Sequence, residues 1–177
     1  MIVLAVETAT EACSAALYAD GRILERYQVA PREHSMLILP MVQSLLDESG
    51  AALNNIDALA FGCGPGSFTG LRIAAGVVQG IAFAADLPVV PVSTLAAMAQ
   101  DVFEAFEEKY AFAAIDARMG EVYWGVYQRN SRGFAELLGV EAVLYAVDVD
   151  FPDVRGAGVG SGWALTLACI VSCRLVL

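Results

Sequence analysis

An echo within the chain limits its fold more than any other feature. The apolar run "IVLAVE" at 2–7 ends on an acid and leads to "ACSAALYAD" at 12–20, an Asp20-Gly21 turn and "RILERYQVA". From Tyr110 the pattern restarts: "AFAAID" ends on Asp116, and a short polar turn leads to alternating residues from Glu121 to Gln128. A glycine-containing turn near Gly133 and a further strand-like run follow. Each set reads as a three-stranded antiparallel meander, with Asp-Gly as a hairpin signal. A repeat of this kind predicts two lobes of like structure, 1–109 and 110–177. Few residues remain after the second set of strands, so the second lobe is expected to be incomplete.

Between the meanders, helical and strand-like stretches alternate. Residues 35–48 carry Met36, Leu39, Val42, Leu45 and Leu46 at helical spacing, stopped by Gly50 and interrupted by Pro40, which predicts a kink or a late start. A strand at 57–63 leads through "GCGPGSFTGLR" into a helix at 68–85, and "PVVPV" at 88–92 leads into a helix at 93–109 with Ser93 as its N-cap. The helix at 68–85 is apolar nearly all round, broken only by Arg72 and Gln79, so two of its sides need cover. Gly76 and Gly80, four apart, leave room for a neighbouring element to approach its backbone.

The glycine-rich turn raises the question of phosphate binding. A Walker loop requires Gly-Lys-Ser/Thr after four intervening residues, and no glycine here is followed by lysine. Nor do Gly62 and Gly64 begin a dinucleotide fingerprint, because Ser67 stands where the third glycine belongs. A tight strand-to-helix turn is the reading this leaves. Ser67 and Thr69 have hydroxyls suited to an anion, but no nearby base makes either a nucleophile.

The remaining chemistry is sparse. His34 is the single histidine, which removes any two-histidine metal site and reads as a residue packed at the start of a helix. Glu7, Asp116 and Glu121 are the acids to weigh as a general base or as Mg2+ ligands, the first two because they end strands at corresponding points of the repeat. A structural role is preferred for Glu7, since "ETAT" lacks the glycine that would bring amides onto a phosphate. Arg118 is expected to pair with Glu121 across the "RMGE" turn. Cys13, Cys63, Cys169 and Cys173 lack C-x-x-C spacing and are expected to be free thiols.

Twenty acidic residues against ten basic ones give a net charge of −10, which disfavours direct binding to a nucleic acid. No basic leader opens the chain and no apolar run reaches the roughly 20 residues of a membrane helix, so a cytoplasmic setting without membrane is expected.

Taken together, "VETAT", "PREHS", "ILPMVQ", "GPGSFTGLRI", "PVSTL" and "IDARMGEVYW" resemble the TsaB (YeaZ) family over residues 1 to about 163, ending at "GSGW". The resemblance implies an α/β fold of duplicated actin, sugar-kinase and heat-shock-chaperone-like (ribonuclease H-like) lobes. It also implies a role in making threonylcarbamoyladenosine in tRNA, as a non-catalytic scaffold that dimerises with the paralogue TsaD and supports the ATPase TsaE. TsaD carries a His-x-x-x-His metal segment after the strand matching "PVVPV"; here Ser93 to Met98 offers no histidine, so neither metal nor catalytic role carries over. No cofactor of its own is expected, with a nucleotide at the heterodimer junction left open. The expected partner face comprises Met41 and Leu45 of the first helix with Leu71, Ala74, Ala75 and Val78 of the second, and the chain alone is expected to form a homodimer. A small-molecule kinase or ATPase using Glu7 and Asp116 is the alternative, and a metalloprotease the third reading. Residues 164–177, "ALTLACIVSCRLVL", match nothing in the family pattern and read either as a buried strand or as an altered end.

Overall fold

The computed structural model describes residues 1–166 and 174–176. They divide into two compact units, Met1–Thr94 and Leu95–Leu177.

In the first unit the strands are β1 (Ile2–Glu7), β2 (Ala12–Ala19), β3 (Arg22–Val29), β4 (Ala58–Gly62) and β5 (Val89–Val92), with helices α1 (His34–Ser49) and α2 (Phe68–Ala85). They form one sheet in the order β3-β2-β1-β4-β5, with β1 antiparallel to β2 and parallel to β4. Side chains alternate between sheet faces, so the register Leu4↔Leu17 and Val6↔Ala15 puts these four on one side. On that side they join Cys13, Leu59, Ile38, Val42, Leu45, Ala74 and Val78 in one buried core, so α1 and α2 cover the same face. α1 runs one residue beyond each expected end, and Gly50 closes it at φ 68°, a left-handed position where glycine meets no Cβ penalty. Pro40 lies inside this helix on its exposed side. One charged residue of the edge strand β3 points inward: Arg26 donates to Ser44 Oγ at 3.0 Å and pairs with the Glu48 carboxylate.

The second unit contains α3 (Thr94–Ala105), whose first residue closes the first unit, then β6 (Tyr110–Arg118), β7 (Glu121–Arg129), β8 (Ala135–Tyr145), β9 (Ala157–Val159), α4 (Trp163–Thr166) and β10 (Arg174–Val176). Its sheet order, β10-β9-β6-β7-β8, repeats that of the first, with β6 antiparallel to β7 and parallel to β9. The echo in the sequence therefore extends beyond the meander to five strands in each sheet. The connections differ: α1 joins β3 to β4, whereas a 3-10 turn at Ala146–Asp148 stands between β8 and β9.

The division by packing falls after Thr94 and not after residue 109. Leu95, Ala99, Val102 and Phe103 of α3 are buried with Ala111, Ala113, Ile115, Tyr127, Ala157 and Val159, so this helix belongs to the second core. It also ends at Ala105, earlier than expected, where the Arg129 guanidinium donates to the carbonyls of Phe103 and Phe106 and meets acceptors that helix ends leave unpaired. The opposite side of this sheet carries Phe112, Ala114, Val122, Trp124 and Trp163, with Trp163 Nε1 donating to Phe112 O at 3.0 Å. Of the unassigned end, residues 163–166 are helical and Arg174–Val176 pairs parallel with β9. Residues 167–173 and 177, with Cys169 and Cys173, lie outside the described residues.

Candidate functional site

The turn between β4 and α2 is a joint made against the chain's own β1–β2 connection. A Cβ on Gly62 would lie 1.8 Å from Glu7 Oε2, on Gly66 2.4 Å from Ala9 O, and on Gly70 1.9 Å from Thr8 O. Gly64 sits at φ 101°, outside the range of other residues. Ser67 N donates to Ala9 O at 2.7 Å, Thr94 N to Gly64 O at 2.8 Å and Cys63 N to Val92 O at 2.9 Å, so three amides that could face an anion are spent internally. The Ser67 side chain caps α2 by accepting from Gly70 N. Glu7 adds negative charge at the same place. Its Oε1 accepts from Ala9 N at 2.6 Å and its Oε2 from Thr94 Oγ1 at 3.0 Å. A phosphate here would meet a carboxylate and few free donors, and the glycines serve close packing.

Glu7 and Asp116 are not counterparts in the repeat. The turn after β9 docks on Ala114 through Gly162 N to Ala114 O, as the turn after β4 docks on Ala9 through Ser67 N to Ala9 O. Alternation gives the offset: Glu7 shares the sheet face of Val3 and Ala5, turned away from α1 and α2, whereas Asp116 shares that of Phe112 and Ala114, which packs with Trp163 of α4, the helix that follows β9 as α2 follows β4. Asp116 Oδ1 accepts from Arg118 N at 2.7 Å, and its own N donates to Ser161 Oγ at 3.2 Å. The Arg118–Glu121 pair is not formed: among the described residues the ion pairs are Met1 with Asp20 and Asp57, and Arg26 with Glu48. His34 begins α1 buried, and its Nε2 lies 3.0 Å from Thr10 O; a carbonyl only accepts, so this nitrogen carries the proton. Among the described residues no group of three or more His, Cys, Asp or Glu is arranged to hold a metal ion.

The outward sides of α1 and α2 form the most distinctive surface of the first unit. Of the six residues expected on the partner face, Leu45 and Ala74 are fully buried and Val78 is 2 % exposed, all within the unit's own core. They cannot meet another chain, which corrects that part of the expectation. Met41, Leu71 and Ala75 are half-buried at its margin. What α1 shows outward is Met36, 75 % exposed, with Leu39 and Pro40. On α2 the outward residues are Phe68, Arg72, Gly76, Gln79, Gly80 and Phe83, with Phe83 93 % exposed. Among the described residues, nothing beyond the helix's own neighbouring backbone lies within 4 Å of a Cβ built on Gly76 or Gly80. The Arg72 guanidinium stacks over the Phe68 ring at 3.9 Å. The sequence signal for this side was present: Arg72 and Gln79, the polar breaks in α2, mark the side that faces away from the core.

By length and composition α2 also meets the requirement for a membrane-crossing helix, the one such helix among the described residues and an exception to the sequence expectation. Of its residues, only Gly70, Ala74 and Val78 are completely buried, with Ile73, Val77, Ile81 and Ala82 half-buried against the core. Its buried Gly70, Ala74 and Val78 nevertheless tie one side into the core, which leaves an apolar surface of the kind that takes a protein neighbour.

Two five-stranded sheets of matching order, with helices packed on them, define an α/β protein consistent with the duplicated lobes of the actin, sugar-kinase and heat-shock-chaperone class. Residues 26–146 match the family described as "TsaD: tRNA N6-adenosine threonylcarbamoyltransferase". The Escherichia coli (strain K12) "tRNA threonylcarbamoyladenosine biosynthesis protein TsaB" is 49 % identical over 167 residues, covering 92 % of this chain and 72 % of that protein. The Haemophilus influenzae protein of the same description is 54 % identical over 130 residues, covering 73 % of this chain and 55 % of its own length. The solved "YeaZ from Pseudomonas aeruginosa" superposes with a TM-score of 0.93 at 49 % identity, covering 99 % of this chain and 83 % of that one. The chain belongs to the TsaB (YeaZ) branch of the TsaD family.

Proposed function

We propose that this chain is a non-catalytic subunit in the synthesis of tRNA threonylcarbamoyladenosine, and that it binds a TsaD-like subunit through the outward sides of α1 and α2. One observation carries this reading: a helix that buries only Gly70, Ala74 and Val78 completely displays Phe68, Phe83 and two glycines that no described residue outside the helix approaches. Glycine within a helix costs about 1 kcal/mol relative to alanine, a cost without return in the isolated chain but useful where a second helix must pass close. Met36, Leu39 and Pro40 of α1 extend the same apolar surface, and half-buried Met41, Leu71 and Ala75 complete its inner margin.

A TsaE-like ATPase joins through the complex and not through this chain alone. Without a TsaD-like subunit the chain pairs with itself, because uncovered apolar surface associates. The setting is cytoplasmic, and tRNA is met by the complex and not directly by this acidic chain. Membership of the TsaB branch and the engagement of Glu7 with Ala9 and Thr94 speak against an independent kinase or ATPase.

The test is co-purification with the TsaD-like subunit of the same cell. Phe83→Glu should abolish capture while circular dichroism stays unchanged. Capture that survives both Phe83→Glu and Gly80→Leu would refute the assignment.

A further inference from the structure

Arg32 occupies a backbone position that its turn would ordinarily give to glycine. Glu33 N donates to Ala30 O at 3.1 Å, closing a four-residue turn with Pro31 second and Arg32 third at φ 72°. Proline second and a positive φ third define a type II turn, whose third residue is ordinarily glycine because a Cβ is strained there. An exposed arginine stands in that place instead, at a cost in local stability that nothing within the turn returns.

The turn is fastened on both sides. Ala30 is buried, and its N donates to Glu11 O at 3.1 Å. Just past the turn, buried His34 donates through Nε2 to Thr10 O at 3.0 Å, and its carbonyl accepts from Cys13 Sγ at 4.0 Å. These contacts hold the turn to the β1–β2 connection and the start of β2, so Arg32 stands on a fixed base. A cation held in advance loses less freedom on meeting a counter-ion than one on a loose segment. The chain's own acids do not take it up: Glu11 and Glu33 are exposed nearby in sequence, yet among the described residues the ion pairs engage only Arg26 and the N-terminal amine. Four residues on, Met36 begins the apolar surface of α1 proposed for the TsaD-like subunit. Arg32 therefore stands at the border of that surface, where a polar rim ordinarily surrounds an apolar centre.

We infer that Arg32 is a preset ionic contact for a carboxylate of the TsaD-like subunit, at the rim of the α1 and α2 surface; the inference rests on that partner assignment. A guanidinium presents paired N–H donors in one plane, which match the two oxygens of a carboxylate, the anion that a protein surface offers. Rim charges act on encounter and orientation, so the contact steers the subunit into place on a chain whose net charge is −10.

The experiment follows binding of the chain to the TsaD-like subunit of the same cell at low and high salt, alongside thermal unfolding of the chain alone. Arg32→Gly should raise the unfolding midpoint by about 2 °C as the turn relaxes. The same change should weaken binding about threefold at low salt and reduce the dependence of affinity on salt. Arg32→Lys, which keeps both charge and strain, should retain most of that dependence, and Arg32→Glu should slow association about tenfold. A residue with a purely structural role would not give a more stable chain that binds less well. A lower midpoint for Arg32→Gly, or binding and salt dependence unchanged, would overturn the inference. So would weaker capture of tRNA by the assembled complex with TsaD binding intact, since that places a phosphate at Arg32. Phe83→Glu, measured in parallel, separates the two readings: if it abolishes binding while Arg32→Gly leaves it unchanged, only the ionic contact falls. If Phe83→Glu leaves binding intact, the partner surface is wrong and the contact falls with it.

Discussion

The buried hydroxyl of Thr8 donates to the carbonyl of Gly70 at 2.7 Å, joining the β1–β2 turn to the first turn of α2. The approach is so close that a Cβ on Gly70 would lie 1.9 Å from Thr8 O.

Gly70→Ala should therefore destabilise the chain by about 3 kcal/mol or more, because the atom it meets is backbone and cannot rotate aside. Thr8→Val, which keeps the shape and removes the hydrogen bond, should cost about 1 kcal/mol. Urea denaturation of both variants tests this ordering, and a smaller loss for Gly70→Ala than for Thr8→Val would contradict it.

Gly80→Ala separates folding from association. Helix propensity predicts a gain of about 1 kcal/mol in the isolated chain, since the added methyl enters open space. Affinity for the TsaD-like subunit should fall at the same time, read by titration calorimetry. Val78→Glu behaves in the opposite sense: Val78 is 2 % exposed in the core, so this change unfolds the unit before any partner is considered.

Trp163 anchors the aromatic cluster of the second sheet, with its ring centroid 6.1 Å from Trp124 and 5.7 Å from Phe151. Trp163→Ala should cost about 3–5 kcal/mol by thermal or urea unfolding. Trp163→Phe should cost less, yet leave the Phe112 carbonyl without its indole donor. Equal stability of all three proteins would mean that the cluster contributes nothing to the second core.

Burial pushes the Cys13 thiol above its ordinary value of 9.0, while Cys63 is exposed. Iodoacetamide near pH 8 should modify Cys63 and spare Cys13, as peptide mapping would show. The linkage follows from the proton count. Above the ordinary thiol value the unfolded chain has released this proton and the folded chain still holds it, so this residue's contribution to stability is lost as pH rises through the folded value. Cys13→Ala should flatten that part of an alkaline unfolding curve.

The strands and both long helices of the first unit were legible because alternation, helical spacing and the stop at Gly50 all agree locally. The partner face was harder. α2 is apolar nearly all round, so hydropathy gives no axis by which to orient it, and an outward face containing Ala74 and Val78 takes residues that the core claims. Arg72 and Gln79 held the orienting information. Chain order places α3 with the first lobe because it follows β5, yet says nothing about which sheet receives Leu95, Ala99 and Val102. Asp116 resembles Glu7 in ending an apolar run; the side of its sheet on which each lies, which only the fold reveals, shows that they are not counterparts.

Arg26 points beneath the outermost strand of the first sheet and is held there by Ser44 and Glu48. A cation tucked under a border strand is one of the devices by which proteins keep foreign strands from annealing to them. In a crowded cell, fibrous stacking of neighbouring molecules along this margin is discouraged by a single guanidinium.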